Sequence, residues 1–159
     1  MKIAVVGAGA MGSVYAGILG DAGNEVWAVD VWAEHVEAIN RDGLTVEGAS
    51  GKRTVRVRAT SNPPDVGVCD LVVIATKARD VEHAAERARP LLGPRTVVLP
   101  IQNGLGSADR IASVLGEEPV AIGVAGPRRR ASTGWPRSGP TRGSASRRTT
   151  TWSSSSGRS

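Results

Sequence analysis

The sequence predicts an α/β fold, in which a parallel sheet carries helices on both faces and is followed by a C-terminal tail without regular structure. Short apolar segments typical of buried parallel strands alternate with segments of helical periodicity. A glycine-rich loop joins the first of these strands to the first helix. Strands and helices that alternate at this spacing are typical of a doubly wound sheet.

The strands of the sheet are predicted from apolar segments at residues 2–6, 25–31, 70–76 and 96–101, and a further strand begins at residues 120–124. Helices are predicted where apolar residues recur every three or four positions, at residues 11–22, 32–39, 81–88 and 108–115. Gly23 is placed to end the first helix and Ser107 to cap the fourth. Two segments that alternate apolar and polar side chains predict half-exposed edge strands, at residues 44–47 and 54–58.

The net charge of +5 comes from residues 127–159, which carry eight arginines and no Asp or Glu. The other 12 basic residues face 15 acidic ones, so residues 1–126 have a net charge of −3. The tail shows no apolar periodicity and cannot bury enough apolar surface to offset its ordering entropy. We therefore predict an ordered domain at residues 1–126 and a disordered Arg/Ser-rich tail at residues 127–159.

Several classes of protein and site are excluded by what the sequence lacks. No apolar run approaches the roughly 20 residues of a membrane span, and no signal peptide is recognised, which predicts a cytoplasmic protein. The single cysteine, Cys69, excludes an internal disulfide and a cysteine-based zinc site, and we expect it in the core. His35 and His83 are expected to be solvated residues on helix surfaces, without metal or nucleophile partners.

The glycine loop has the pattern G-x-G-x-x-G between a buried strand and an amphipathic helix, which is the context that a dinucleotide site requires. The first glycine permits a tight turn, the second lets a pyrophosphate approach the backbone, and the third lets helix and strand pack closely. The N-terminus of the helix offers free N–H groups to phosphates. The sequence therefore predicts a Rossmann-type domain whose pyrophosphate loop is formed by Gly7, Ala8, Gly9, Ala10, Met11 and Gly12.

Asp30 ends the second predicted strand, and two interpretations of it stay open. Its carboxylate could accept hydrogen bonds from the adenosine ribose hydroxyls and repel a 2′-phosphate, which favours NAD over NADP. Alternatively, it could simply cap the helix that follows.

Lys77 and Asn103 each follow a buried strand, at the sheet edge where the glycine loop lies. Ligands of open parallel sheets bind outside the carboxyl ends of the strands. Lysine could there contact cofactor or substrate oxygens, and the asparagine amide could hold a hydroxyl. Taken singly, Lys77 could be a solvated loop charge and Asn103-Gly104 a turn. Their shared edge favours a functional role for both.

The chain resembles the N-terminal half of the ketopantoate reductases (2-dehydropantoate 2-reductases) over about residues 1–126. The resemblance is carried by four blocks in order, at residues 2–12, 41–44, 75–78 and 102–106. It implies NAD(P)H-dependent reduction of the branched 2-oxo acid ketopantoate to pantoate, in pantothenate biosynthesis. It places Lys77 and Asn103 at the nicotinamide end as catalytic and cofactor-binding residues. It also implies NADPH held by a basic residue after the second strand, where this chain has Asp30 and Val31.

The resemblance further implies a helical C-terminal domain that supplies a general-acid lysine and an acidic substrate-binding residue. Residues 127–159 match no part of such a domain, and their composition suggests a reading-frame shift in a GC-rich gene. We therefore expect a truncated, cofactor-binding fragment with little or no turnover. Its uncovered apolar surface favours self-association.

Two other functions stay open. The chain could be a dinucleotide-binding regulatory module whose basic tail contacts nucleic-acid phosphates. The tail has no recognisable RNA- or DNA-binding fold, so a nucleic-acid partner is not the expected one. The chain could also be a related reductase that acts on another small 2-oxo acid, or an enzyme of amine dehydrogenation.

Overall fold

The computed structural model describes residues 1–48, 51–102 and 106–121. Its strands are β1 (Lys2–Val6), β2 (Glu25–Val29), β3 (Leu44–Gly48), β4 (Gly51–Val55), β5 (Arg58–Thr60), β6 (Leu71–Ile74) and β7 (Val97–Pro100). Its helices are α1 (Ala10–Asp21), α2 (Ala33–Asp42), α3 (Val81–Ala88) and α4 (Ser107–Leu115). No helix within these described residues is long and apolar enough to cross a membrane.

Five of the strands form one parallel sheet in the order β5-β2-β1-β6-β7. The chain runs outward from β1 to the β5 edge, then crosses to the other side of β1 and continues outward through β6 and β7. Every residue of β6 is buried, and so is all of β1 except its first residue. Burial on both faces explains why these segments are apolar without alternation, and the predicted doubly wound fold is confirmed.

The two faces of the sheet are covered by different helices, because successive strand residues point to opposite sides. Ile3 and Val5 of β1 pack on one face in a cluster with Ala16 of α1 and Ile39 of α2. The intervening β1 residues pack on the opposite face in a second cluster, with α3 and α4. The carboxyl ends of the strands remain open between these layers, next to the loop that enters α1.

The predicted edge strands required a correction. β3 and β4 pair antiparallel with each other, from Leu44 opposite Val55 to Gly48 opposite Gly51, and lie outside the parallel sheet. Only two residues connect them, which is typical of a hairpin. β5 lies at one edge of the parallel sheet, and the predicted strand at residues 54–58 was wrong because it combines the end of β4 with the first residue of β5. Alternation of apolar and polar side chains identifies a half-exposed strand but does not tell which sheet it joins.

The helix ends agree with the sequence at α1 and differ at α4. Gly23 follows α1 with a φ of +82° and donates its N–H to the Gly20 carbonyl, as predicted for a helix-terminating glycine. Ser107 is the first residue of α4 rather than its cap, because Gly106 occupies the cap position. The predicted strand at residues 120–124 is described only at its start, where Val120 pairs in parallel with Val98. The predicted tail lies outside the described residues.

Candidate functional site

The glycine loop turns sharply between β1 and α1, and two of its glycines are required by the surrounding protein. Gly7 has a φ of +94°, and a Cβ atom there would lie 2.7 Å from Cγ2 of Thr76. A Cβ atom on Gly12 would overlap the carbonyl oxygen of Gly7. These contacts agree with the turn-forming role predicted for Gly7 and the close-packing role predicted for Gly12.

Gly9 differs from both, because no described atom would contact a Cβ atom placed there. Its φ of −65° is open to any residue, so neither backbone conformation nor packing within the described chain explains a glycine. Gly9 also precedes α1 at a helix end with no side-chain cap. The first N–H groups of a helix have no intrahelical acceptors, and here they face open space of a kind that a phosphate can fill.

The peptide groups of Ala8 are held from two directions. The Ala8 N–H donates to Oδ2 of Asp30 at 2.6 Å. Its carbonyl oxygen accepts from Oγ of Ser13 at 2.7 Å and contacts Nε2 of His35 at 2.8 Å. We call Asp30, Ser13 and His35 the Ala8 clamp. Because the clamp fixes both polar groups of a buried residue, it fixes the orientation of the loop immediately before Gly9.

Asp30 uses both carboxylate oxygens, since Oδ1 accepts the backbone N–H of Trp32 at 3.0 Å. The helix α2 begins at Ala33 with Trp32 in the cap position, so Asp30 is not its N-cap residue. Each carboxylate oxygen can accept more than one hydrogen bond, so acceptor capacity remains for a ligand. Asp30 therefore orders the loop and the approach to α2 while it faces the cleft described below.

His35 corrects one expectation from the sequence. It was expected to be a solvated helix residue, but it is half-buried, contacts the Ala8 carbonyl and stacks on the Trp32 ring. The reason is tertiary, because α2 docks beside the glycine loop and brings together residues 27 positions apart. Sequence reasoning also missed Ser13 and Trp32. His83 is exposed, as expected.

A cleft of about 590 Å³ runs from the glycine loop to the carboxyl ends of β6 and β7. Gly9 and Asp30 lie at one end, and Lys77 and Gln102 at the other. A second cavity of about 600 Å³ adjoins it beside α2 and shares Gly9, Asp30 and Lys77 with it. The structure therefore brings Lys77 to the same open edge as the glycine loop, as the sequence predicted.

The polar groups at the β6–β7 end have few partners. The carbonyl of Lys77 accepts the Asp80 N–H at 2.9 Å, whereas its exposed ammonium makes no hydrogen bond or ion pair with any described residue. Oγ1 of Thr76 and both side-chain amide atoms of Gln102 are buried without a hydrogen-bond partner in the described part of the chain. Asn103 lies outside the described residues, so its predicted role is neither supported nor contradicted.

Other reactive groups lie away from this cleft or are absent from what is described. Cys69 is buried, as expected, and burial raises the pKa of its thiol, which disfavours the nucleophilic thiolate. Among residues 1–48, 51–102 and 106–121, no group of three or more His, Cys, Asp or Glu side chains could hold a metal ion.

Together these features define a class of protein. A parallel sheet whose first strand leads through a tight glycine loop to an uncapped helix, with a carboxylate after the second strand, is a Rossmann-type nucleotide-binding domain. The family model described as ketopantoate reductase PanE/ApbA matches residues 3–127. The chain belongs to this family.

Known proteins similar to this chain include the 2-dehydropantoate 2-reductase of Lactococcus lactis, which is 34% identical over 125 residues. A crystal structure of a PanE/ApbA family ketopantoate reductase from Ralstonia eutropha superposes with a TM-score of 0.69 at 38% identity. The ternary structure of a D-mandelate dehydrogenase with NADH and anilino(oxo)acetate superposes with a TM-score of 0.70 at 34% identity. Each match covers 77% of this chain but only 40% of the relative.

Proposed function

We propose that residues 1–126 form the cofactor-binding domain of a ketopantoate reductase-like oxidoreductase, which binds a nicotinamide dinucleotide and presents it to a 2-oxo acid. The observation that carries this proposal is the open space at Gly9, in front of an uncapped helix and between Asp30 and Lys77. The end of the family match at residue 127 supports the proposed domain boundary at residue 126.

The pyrophosphate of the dinucleotide would lie on the glycine loop. Gly9 leaves room for it, and the N–H groups at the start of α1, from Ala10 onward, supply donors and a partial positive charge. The Ala8 clamp holds this loop before any ligand arrives, so little conformational freedom is lost on binding. Met11 lines the same cleft.

We propose NADH as the preferred cofactor, although the family resemblance by itself favours NADPH. Asp30 offers carboxylate oxygens to ribose hydroxyls and would repel a 2′-phosphate. Lys77 is the only Lys or Arg lining the cavity beside α2, among the described residues. The similar D-mandelate dehydrogenase was solved with NADH, which is consistent with this choice.

At the other end of the cleft, Lys77 and Asn103 would act on the reacting groups. A bound nicotinamide supplies the hydride. Lys77 has no competing partner among the described residues, so its ammonium can donate to the carbonyl oxygen of a 2-oxo acid and hold it in place. The Asn103 amide would bind a ribose or substrate hydroxyl. A positioned general acid is typically worth about 10²–10⁴-fold in rate. Within residues 1–126, we propose Lys77 as the group that fills this role.

A second candidate substrate class is another 2-oxo acid, as in the D-mandelate dehydrogenase whose structure contains anilino(oxo)acetate. Both candidates use the same cofactor site. NADH oxidation by the full chain with ketopantoate and with an aryl 2-oxo acid compares them directly. Faster NADH oxidation with ketopantoate would support ketopantoate as the substrate, and faster oxidation with the aryl 2-oxo acid would favour the second candidate.

The cofactor proposal is tested by calorimetric titration of NADH and NADPH into the full chain. We expect NADH to bind more tightly, and Asp30→Asn to reduce the NADH preference by about tenfold, because short-range charge interactions near a protein surface are worth about 1–4 kcal/mol. Asp80→Asn is the matched control, since it removes the same charge from the β6–β7 end of the cleft. Absence of binding by both dinucleotides would reject the proposed function. An NADPH preference that Asp30→Asn leaves unchanged would reject only the choice of NADH.

A further inference from the structure

The cavity beside α2 has a large aromatic side chain at its edge. Trp32 lines this cavity with 60% of its surface exposed, whereas the apolar side chains of β1 and β6 are buried. An indole that borders a cavity offers a ligand a large flat apolar face, and ligand cavities are lined mainly by apolar and aromatic side chains. Trp32 plays no part in the pyrophosphate loop or in the group at Lys77, so the proposed function leaves it unexplained.

The orientation of Trp32 is fixed by three contacts. Its backbone N–H donates to Asp30, and its indole Nε1–H donates to the Glu34 carboxylate. Its ring stacks on the imidazole of His35, with 5.5 Å between ring centroids and an interplanar angle of 24°. Because His35 also contacts the Ala8 carbonyl, the stack is attached to the glycine loop. An exposed ring held in this way loses little side-chain entropy when a second ring packs against it.

We propose that Trp32, supported by His35, is the platform on which the adenine ring of the dinucleotide packs. This inference rests on the proposed function, because it places the adenosine ribose at Asp30. The adenine base is attached to that ribose, and Trp32 lies two residues from Asp30 on the same cavity. Stacking on an indole needs no specific hydrogen bond and suits the flat apolar face of a purine. His35 is a positioning residue that orients Trp32.

The experiment measures the affinity of the full chain for NADH, ADP-ribose and AMP, together with the displacement of NADH by inorganic pyrophosphate. Trp32→Ala is expected to weaken NADH and ADP-ribose binding by roughly 5- to 100-fold, the range seen when a base–aromatic stack is removed. Trp32→Phe should retain most of the affinity, because an aromatic face remains. The dissociation constant of pyrophosphate, calculated from the displacement curve with the NADH affinity of each variant, should not change, since pyrophosphate carries no base.

Matched control variants distinguish the loss of the Trp32 platform from a general loss of folding or of ligand binding. Trp27→Phe changes the half-buried tryptophan on β2, which contacts Glu25 and Arg58 rather than the cavity, and should leave all affinities unchanged. His35→Phe keeps a ring behind Trp32 and should preserve ADP-ribose affinity better than His35→Ala. Thermal denaturation of each variant verifies that it is folded.

The possible results distinguish the platform from the function on which it rests. If the unmodified chain binds no dinucleotide, the proposed function fails and the platform fails with it. If NADH binds and Trp32→Ala binds it equally well, the platform alone is overturned. If AMP binds as tightly as NADH and depends on Trp32, the platform is supported but its ligand is a free adenine nucleotide.

Discussion

The two ends of the cleft satisfy their polar groups in different ways. At the glycine-loop end, Asp30, Ser13 and His35 hold both polar groups of Ala8. At the β6–β7 end, Thr76 and Gln102 bury polar atoms that have no partner among the described residues. At the glycine-loop end the polar groups of the buried Ala8 are satisfied within the protein, whereas the β6–β7 end buries polar atoms without a partner among the described residues.

This difference follows from how each end is built. The glycine-loop end belongs to one continuous β-α-β-α unit, so its contacts form when that unit folds. The β6–β7 end gathers residues from two strand ends, and a buried unsatisfied group there costs about 1–3 kcal/mol. We infer that the first end is organised before ligand binding and that the second is completed by a ligand or by residues outside those described. The following variants test this comparison.

Gly12→Ala should have the largest effect of these variants, which is a loss of folding stability. Its Cβ atom would overlap the carbonyl oxygen of Gly7, a backbone atom that cannot rotate away. Overpacking usually costs about 1–3 kcal/mol, and we expect the upper end of this range or more because the obstacle is backbone. Chemical denaturation measures the free energy of unfolding, with Gly9→Ala as the control that meets no described atom. Equal stabilities for the two variants would contradict close packing at Gly12.

Gly9→Val should weaken cofactor binding while leaving the stability of the fold unchanged. No described atom contacts a Cβ atom at this position, and the φ of −65° suits any residue, so the unfolding free energy should stay near that of the unmodified chain. The side chain would occupy the space proposed for pyrophosphate. Losing one charge-assisted hydrogen bond, worth about 1.5–3 kcal/mol, would weaken NADH binding more than tenfold. If the folded variant binds NADH as tightly as the unmodified chain, the pyrophosphate does not bind at this loop.

Lys77→Met tests the β6–β7 end of the cleft. We expect NADH affinity to fall a few-fold, as for the loss of one exposed charge contact worth about 1 kcal/mol. The melting temperature should not change, because the Lys77 side chain makes no hydrogen bond or ion pair with the described residues and the substitution keeps its backbone bond to Asp80. Arg79→Met is the matched control, with a neighbouring positive charge that pairs with Asp80. A clear drop in melting temperature for Lys77→Met would reveal a partner and weaken the contrast between the two ends.

The smallest expected effect is on the thermal stability of the protein at acid pH, through an ion pair near Lys77. Arg110 donates to the Ala78 carbonyl at 2.5 Å and to Glu82 at 2.8 Å, which attaches α4 to the turn after Lys77. The hydrogen bond from Arg110 lowers the pKa of Glu82 from its usual value of 4.5. A lowered folded-state pKa gives stability that is present above pH 4.5 and is lost as the pH falls through the folded value.

Glu82→Gln should therefore flatten the decline in melting temperature below about pH 4.5, by a small amount because the pair is exposed. Glu118→Gln is the control, since Glu118 is exposed and forms no ion pair within the described chain. Identical acid profiles for Glu82→Gln and the unmodified chain would show that the pair does not stabilise this turn.

The parts of the fold that depend on local rules could be predicted from the sequence. Buried parallel strands need apolar residues on both faces, and the glycine spacing follows from a turn and a close packing contact that tolerate no side chain. The placement of Lys77 at the cleft follows from the rule that parallel strands end at one edge. Asn103 stays a prediction, because it lies outside the described residues.

The Ala8 clamp and the hairpin could not be predicted, because they depend on how elements dock. His35 reaches the Ala8 carbonyl only once α2 lies beside the glycine loop, and neighbouring sequence carries no sign of that contact. β3 and β4 have the alternation of any half-exposed strand pair, and their separation from the main sheet is a tertiary property.

The two hydrogen bonds that Asp30 accepts limit how the proposed cofactor preference of this chain could change. A substitution to arginine would add a group that binds a 2′-phosphate, yet it would also leave the Ala8 and Trp32 N–H groups without their acceptor. Ancestral or engineered switches toward NADPH would need a second substitution that restores an acceptor for the loop. We therefore expect that a change of the proposed cofactor preference requires two substitutions, and that the variant with only the first has a less ordered loop.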